Sequence, residues 1–328
     1  MSDAQKKPWK RTPPPPRWIG APLGVLVVGL FWPVTKLFPA WWPRYVGRTV
    51  TKFLKEFPKT FEPTERDVLV CAYYKSGTNW TMQIAVQIAH RGRAEFGHIH
   101  DLVPWPDMSP RAGYAVPLDV DEPLRSAPTG LRIIKTHLAL DDLPYSRAAR
   151  YICVVRDPKD VFVSSYHFTR ALVLGPLMPS VAGWLDAFLS PDAPIGSWAR
   201  HLASGWRLRD GGNVLFLTYD GMRADLGSAV DKIAAFMGVK LTPEERAAVI
   251  ERSSFGYMKK IEHKFEAPGA PWANAKGAMM RRGESGASSE LITSEQQRRI
   301  DDHWRAELAR IGCDFPYDAA FSARKPAR

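Results

Sequence analysis

Cysteine is scarce in this chain. The three present, Cys71, Cys153 and Cys313, show no C-x-x-C spacing, which argues against a disulfide framework and against a cysteine-based zinc site. That usage fits a reducing compartment or simple indifference to redox. Acidic residues are nearly missing from one region. Residues 1–60 hold eleven Lys/Arg and only two acids, a net +9, which leaves +2 of the total +11 for residues 61–328. A nearly balanced body speaks against a generally basic nucleic-acid-binding domain. Extremes of composition are missing too. With 45% hydrophobic and 24% charged residues over 328 positions, a mainly disordered or fibrous chain is excluded. No internal repeat is visible.

Residues 1–17 form a basic tail. Its four successive prolines, Pro13 to Pro16, exclude helix and favour polyproline II. Trp18 to Thr35 follows, eighteen residues without a charge, at the lower length limit for a membrane span. Pro22 and Pro33, with Gly20, Gly24 and Gly29, argue against a regular helix there. A cleaved signal peptide fits poorly, because no small-residue cleavage site follows Phe31–Trp32. A single span gains no orientation from its charges, since basic residues flank both sides. An interfacial or re-entrant anchor fits best. Trp18, Trp32, Trp41, Trp42 and Tyr45 bracket the run, and aromatic–basic mixtures prefer the headgroup layer. The plain alternative is an apolar segment packed on the protein's own body. The expected division is a tail at 1–17, a membrane-associating segment at 18–60 and a catalytic domain at 61–328.

From Thr64 onward, short β-rich runs alternate with helical stretches. Strands are predicted at Asp67 to Tyr73, Leu131 to His137, Tyr151 to Arg156 and Asn213 to Tyr219. Trp80, Ile84 and Ile88 lie at helical spacing between Thr78 and Arg91, with Gly92 as the stop. Asp157-Pro158 supplies an N-cap and a proline at the first helical position, and that helix should run through Phe168. A further helix is expected near Leu226 to Met237. Capping boxes are read at Thr242–Glu245 and Thr293–Gln296; the second opens a helix ending near Gly312. Strands alternating with helices predict a single α/β domain with a mainly parallel sheet. Asp101 to Gly130 and His263 to Glu290 read as long loops, which in compact domains are usually functional.

Four local patterns could carry chemistry. Tyr74-Lys75-Ser76-Gly77-Thr78-Asn79-Trp80 lies between a predicted strand and a predicted helix. Such a junction aims free amides and the positive helix end at an anion. Lys75 adds charge, and Ser76 and Thr78 add hydroxyl donors. It is no Walker A loop, because its lysine precedes its glycine. Lys135-Thr136-His137 ends a predicted strand, where open α/β sheets bind ligands and a histidine can serve as a general base. Arg156 ends the next strand, and Ser164 follows on the next helix; arginine with serine suits a phosphate. Arg281-Arg282-Gly283 sits in the late loop as a phosphate clamp. Taken singly, each has a bland reading: a turn, a structural histidine, a surface charge cluster, a solvated charge run.

Together and in this order, the four patterns resemble the cytosolic-type sulfotransferases. Residues 73–80 match that family's Y-x-K-S-G-T-x-W, Lys135–His137 its K-T-H, and Arg156 to Ser164 its R-x-x-K-D-x-x-x-S. Leu143-Pro144 and Tyr166-His167-Phe168 fall where the family has similar elements. The resemblance spans about residues 55–317. It implies a P-loop-like strand–loop–helix and 3′-phosphoadenosine 5′-phosphosulfate (PAPS) as sulfuryl donor, with no metal. Lys75, Ser76, Gly77, Thr78 and Asn79 would hold the 5′-phosphosulfate. Arg156, Ser164, Arg281, Arg282 and Gly283 would hold the 3′-phosphate. Trp80 and Phe255 would sandwich the adenine, with Tyr219 and Ser253 beside it. His137 would be the base, and Lys75 and Lys135 would neutralise charge during transfer. A cytoplasmic location, membrane-associated through the N-terminal segment, and a lipophilic hydroxyl acceptor complete the expectation.

The chain also departs from the pattern. After Gly286 the family's D-W-K-N is replaced by Ala287-Ser288-Ser289-Glu290. The family's short dimer motif would fall on Ser289, Thr293, Ser294 and Arg298, three of which do not match. Two other functions compete with sulfuryl transfer. A P-loop-like kinase is contradicted by the position of Lys75 and by Arg156, which stands where a magnesium carboxylate would be expected. A membrane-associated nucleotide-binding protein without turnover is opposed by His137, Lys75 and Lys135.

Overall fold

The computed structural model describes residues 9–12, 17–52, 56–107, 113–193, 195–267, 269–273, 279–281, 283 and 286–322. Most of the basic tail, and Arg282 of the clamp, lie outside these.

The four predicted strands form. They are β1 (Asp67–Ala72), β2 (Arg132–Thr136), β3 (Arg150–Val155) and β4 (Val214–Thr218). Among the described residues they make one all-parallel sheet in the order β2-β1-β3-β4. All of β1 and β2 is buried, as a parallel sheet covered on both faces requires. That explains why these runs read as continuously apolar rather than alternating. Cys71 and Cys153 are register partners on β1 and β3, and all three cysteines are free thiols.

The helices are α1 (Arg17–Leu37), α2 (Trp41–Thr51), α3 (Thr78–Ala89), α4 (Glu122–Ser126), α5 (Pro158–Thr169), α6 (Val181–Phe188) and α7 (Trp198–Arg207). Then come α8 (Tyr219–Ala224), α9 (Leu226–Phe236), α10 (Pro243–Ser253), α11 (Phe255–Lys260) and α12 (Ser294–Arg310). On one side of the sheet, Val68, Val70 and Ala72 pack with residues of α3 and α9. On the other side, Leu69, Cys71, Ile134, Tyr151 and Cys153 form a second layer. A third cluster, rich in tryptophan, joins α5, α6, α7 and α12. Both predicted capping boxes form, and Asp157 caps α5 with Pro158 at its first turn. Of the expected loop at 101–130, residues 108–112 lie outside the described residues, and the described remainder is loop-like apart from α4.

One expectation fails. The prolines and glycines of residues 18–35 do not prevent a helix, because α1 runs through both Pro22 and Pro33. An interior proline costs about 3 kcal/mol. Val27, Val28, Phe31 and Val34 offset this by packing on the cluster that contains Trp42, Trp184 and Leu185. Full burial of such a side chain contributes about 1.5–3 kcal/mol, and these four, partly buried, contribute a share of that each. The opposite side of α1 stays bare: Leu23, Val25, Leu26, Leu30, Trp32 and Leu37 are exposed. No single helix among the described residues is long and apolar enough to cross a membrane.

Candidate active site

The carboxyl ends of all four strands carry site residues. Lys75 follows β1, His137 follows β2, Arg156 follows β3 and Tyr219 follows β4. The chain reverses direction across the sheet around β1, with β2 on one side and β3 on the other. Such a switch point is where parallel sheets open a crevice.

The loop after β1 turns back on itself at Lys75, whose φ is 66°, and again at Gly77, whose φ is 102°. Few residues tolerate these values. Gly77 is needed for a second reason: a Cβ there would stand 2.7 Å from the Tyr219 ring. Ser76 and Thr78 are buried, and their hydroxyls have no hydrogen-bond partner. Unpaired buried hydroxyls are costly, so these two mark a place for a ligand at the head of α3. Asn79 is half-buried on the first turn.

Two lysines converge beside the loop. Lys75 Nζ lies 4.0 Å from the Phe168 ring centre, and Lys135 Nζ lies 3.3 Å from that of Trp105. Burial pushes Lys75 down to about 7, with further repulsion from Arg156. Burial likewise pushes Lys135 down to about 7; Asp107 opposes the shift and Lys75 adds to it.

His137 is buried, with Nδ1 2.8 Å from the Ala72 carbonyl oxygen. A carbonyl can only accept, so Nδ1 carries the hydrogen and Nε2 holds the free lone pair. Burial, then the charge of Lys135, hold the imidazole well below its usual titration range. The imidazole is therefore neutral at physiological pH.

The third group surrounds Arg156. Its guanidinium stacks 4.5 Å from the Tyr219 ring centre, donates to the Lys75 carbonyl at 3.3 Å and faces Asp160 at 3.7 Å. Ser164 is half-buried on α5. The Trp80 indole donates to the Ser253 carbonyl at 2.7 Å, and its ring meets Tyr219 edge-on. Ser253 is buried, and its hydroxyl has no partner. Phe255 is 46% exposed. Gly283, at φ 65°, lies so close to Phe255 that a Cβ would stand 2.4 Å from the ring. Lys75, Ser76, Gly77, Thr78, Trp80, Arg156 and Tyr219 are thus brought together, and Gly283 is set on Phe255. Arg281 is engaged elsewhere, in an ion pair with Glu290.

Four neighbours of the site have no role assigned from the sequence. Trp105 covers Lys135. Asp107 accepts from the His137 amide at 2.9 Å. Asp160 accepts from the Gly286 amide at 3.0 Å, which ties the late loop to α5. Glu290 occupies Arg281. Asp107 lies in the run Val103-Pro-Trp-Pro-Asp107, which carries no periodic signal. The only hint was an acid inside an apolar, proline-rich loop.

A parallel sheet whose strand ends present an anion loop, two lysines, an arginine and a neutral histidine defines a group-transfer enzyme acting on an anionic donor. The chain belongs to the sulfotransferase family: residues 65–312 match the profile described as "Sulfotransferase domain". It is 28% identical to rat (Rattus norvegicus) sulfotransferase 1C2 over 271 residues, covering 78% of this chain and 88% of the relative. It is 30% identical to rabbit (Oryctolagus cuniculus) amine sulfotransferase over 274 residues, covering 79% and 86%. Among solved structures, mouse sulfotransferase SULT7A1 complexed with PAP superposes with a TM-score of 0.57 at 25% identity, over 80% of this chain and 90% of that one. Retinol dehydratase with retinol and PAP shares the fold, with a TM-score of 0.60 at 20% identity over 85% and 88%.

Proposed function

We propose that this sulfotransferase moves the sulfuryl group of PAPS to a lipophilic hydroxyl acceptor. The carrying observation is the convergence of buried, unpaired Ser76 and Thr78 hydroxyls with Lys75, Lys135 and a tautomer-fixed, neutral His137. The anion loop and the head of α3 would hold the phosphosulfate. Arg156, Ser164, Arg281, Arg282 and Gly283 would hold the 3′-phosphate. Trp80, Tyr219, Ser253 and Phe255 would receive the adenine. PAP in the complex of the mouse relative supports this choice of donor.

In the reaction, the acceptor oxygen attacks sulfur in line and its proton passes to His137 Nε2. The new S–O bond gives a sulfate ester. The bond from sulfur to the phosphate oxygen breaks, releasing 3′,5′-adenosine bisphosphate (PAP). Lys75 and Lys135 neutralise the charge that builds on the sulfuryl oxygens and on the departing phosphate, a task of positioning and electrostatics. Phe168 against Lys75 supplies an apolar wall beside the transferring group.

The enzyme would lie on a membrane through residues 18–60, leaving residues 61–328 as the catalytic unit. The support is the two-sided packing of α1. One face is seated on the body, while the rest, continued by Phe38, Trp41 and Tyr45, is bare and apolar. Exposed Lys36, Arg44, Arg48 and Lys52 accompany it, which suits an anionic headgroup layer. A cytoplasmic position agrees with the free, adjacent thiols of Cys71 and Cys153.

Calorimetric titration with PAP, AMP and ATP tests the donor reading. PAP should bind far more tightly than AMP, and Arg156→Ala should weaken PAP by roughly ten- to a hundredfold, the worth of a charged hydrogen bond. PAP binding no tighter than AMP would end the reading.

A further inference from the structure

Asp107 is fully buried, and the transfer scheme above leaves it unused. One carboxylate oxygen accepts from the His137 amide at 2.9 Å; the other is buried and makes no hydrogen bond of good geometry, although the Thr136 hydroxyl stands beside the carboxylate. A buried carboxylate with an unpaired oxygen is expensive. Packing alone gives no reason to keep it, since an asparagine would serve the His137 amide as well. Its surroundings supply the reason. Lys135 stands on the adjacent strand, its ammonium over Trp105, two residues before Asp107 in the same loop. The Trp105 ring also meets the His137 ring edge-on, with centres 5.5 Å apart.

We propose that Asp107 is a positioning residue for sulfuryl transfer: it pins the end of β2 through the His137 amide and holds Lys135 in its charged form. This rests on the assignment of His137 and Lys135 to the transfer step. Asp107 acts through those two residues and need not touch the donor or the acceptor.

The charges around the pair come from every neighbouring element. Asp107 faces Lys135 and Thr136 on β2, the His137 amide just after that strand, and Cys71 on β1. Lys135 also faces Lys75 of the anion loop, and His98 and His100 of the loop that carries Asp107. His137 faces His201 of α7. Burial lowers His98 and His201 to about 4 and His100 well below its usual value, so these three are neutral near pH 7. Burial raises Cys71. The groups of this set left to titrate between pH 6 and 9 are Asp107, Lys135 and Lys75. Burial pushes Asp107 up to about 6. Between that value and the value near 7 of Lys135, both partners are charged and support each other. Removing the carboxylate leaves Lys135 with burial and Lys75 alone, and both lower it.

The test compares full-length wild type, Asp107→Asn and Asp107→Glu. PAP affinity at pH 6.5 is the control for fold and donor site, and it should stay within about twofold in both variants, because Asp107 lies outside the donor contacts. D107N keeps a hydrogen-bond acceptor for the His137 amide but loses the charge. Its kcat should fall by on the order of tenfold to a hundredfold, with a smaller change in acceptor KM. Its alkaline limb of activity should move to lower pH, whereas D107E should keep the wild-type limb. A D107N enzyme with wild-type kcat and limb overturns the proposal. So does one that loses PAP affinity and kcat together, which would mark a merely structural aspartate. Should D107N not fold, D107E decides: a limb at the wild-type position upholds the proposal, and a displaced limb overturns it. Wild type that fails to bind PAP would instead sink the donor assignment.

Discussion

His137 Nδ1 lies 2.8 Å from the carbonyl oxygen of Ala72, the last residue of β1. The contact follows from strand pairing. Cys71 and Thr136 are partners across β1 and β2, so the next residues on each strand meet at the sheet's edge. That carbonyl fixes the histidine's tautomer and leaves the free lone pair on Nε2. The sheet that builds the core therefore also sets the tautomer of the histidine proposed as the base.

His137→Gln should keep the fold and donor binding but lose turnover. General-base catalysis contributes about 10²–10⁴-fold, and the fall in kcat should lie in that range while PAP affinity changes little. Single-turnover assays beside calorimetry would check this. A kcat within threefold of wild type would remove His137 from the role.

Donor binding should take up protons above neutral pH. Burial lowers both Lys75 and Lys135 to about 7, so in the free enzyme at pH 8 both are mostly neutral. The bound 5′-phosphate of PAP favours the charged form of Lys75, the lysine of the anion loop itself, raising its value and drawing protons from solution. PAP affinity should accordingly weaken as pH rises from 7 to 9. The same shifts act on stability with the opposite sign. In the ligand-free protein the unfolded chain binds these protons more tightly, so the two lysines make the fold more stable as pH rises from about 7 toward their ordinary value. Calorimetry at pH 8 in two buffers of different ionisation heat measures the uptake. An exchange of zero protons would contradict the buried-lysine arrangement.

Glu290 should compete with the donor. It pairs with Arg281 and also faces His167, and it stands in the stretch where the chain departs from the family pattern. To hold the 3′-phosphate as proposed, Arg281 would have to leave this carboxylate. The pair is partly exposed, so its worth is at most about 1 kcal/mol. Glu290→Gln should therefore tighten PAP by only about two- to fivefold and leave AMP unchanged. Weaker PAP binding would show that Glu290 instead supports the clamp.

Gly77→Ala should damage site and fold together. The added methyl meets Tyr219 at 2.7 Å, and φ 102° is strained for any residue with a side chain. Such strain costs on the order of 1–3 kcal/mol. Because Tyr219 also stacks on Arg156, its displacement should weaken PAP as well. Thermal melts with and without PAP would separate the two effects. An unchanged PAP affinity would argue against Tyr219 as part of the donor pocket.

The strands were legible because a parallel sheet covered on both faces writes itself as short, continuous apolar runs, as at Asp67–Ala72. Helix ends were legible where side chains cap them, as at Asp157 and Thr242. The anion loop and the K-T-H strand end were legible because each joins backbone geometry to a charged residue within a few positions. Asp107 and Trp105 were not, since what brings them to Lys135 is the path of a loop with no period of its own. Residues 18–35 misled for a related reason. Propensity counts what prolines cost a helix, but not the packing of Val27, Phe31 and Val34 on a distant tryptophan cluster.

The bare face of α1 makes the membrane reading open to direct attack. Leu26 is 70% exposed and Leu30 is 66% exposed, and the two lie one helical turn apart. Neither supports the core, so Leu26→Asp/Leu30→Asp should leave turnover of a water-soluble phenolic acceptor unchanged. Each leucine inserted into an acyl boundary would contribute about 1.5–3 kcal/mol, so the double variant should bind vesicles on the order of a hundredfold more weakly. Binding should also depend on anionic lipid, because each basic residue near such a surface adds about 1 kcal/mol. Co-sedimentation with phosphatidylserine-containing and purely zwitterionic vesicles, at low and high salt, separates the two contributions. If the wild type ignores both kinds of vesicle, the exposed leucines of α1 must be covered by something other than lipid. If the variant still binds like wild type, the contact lies elsewhere on the molecule.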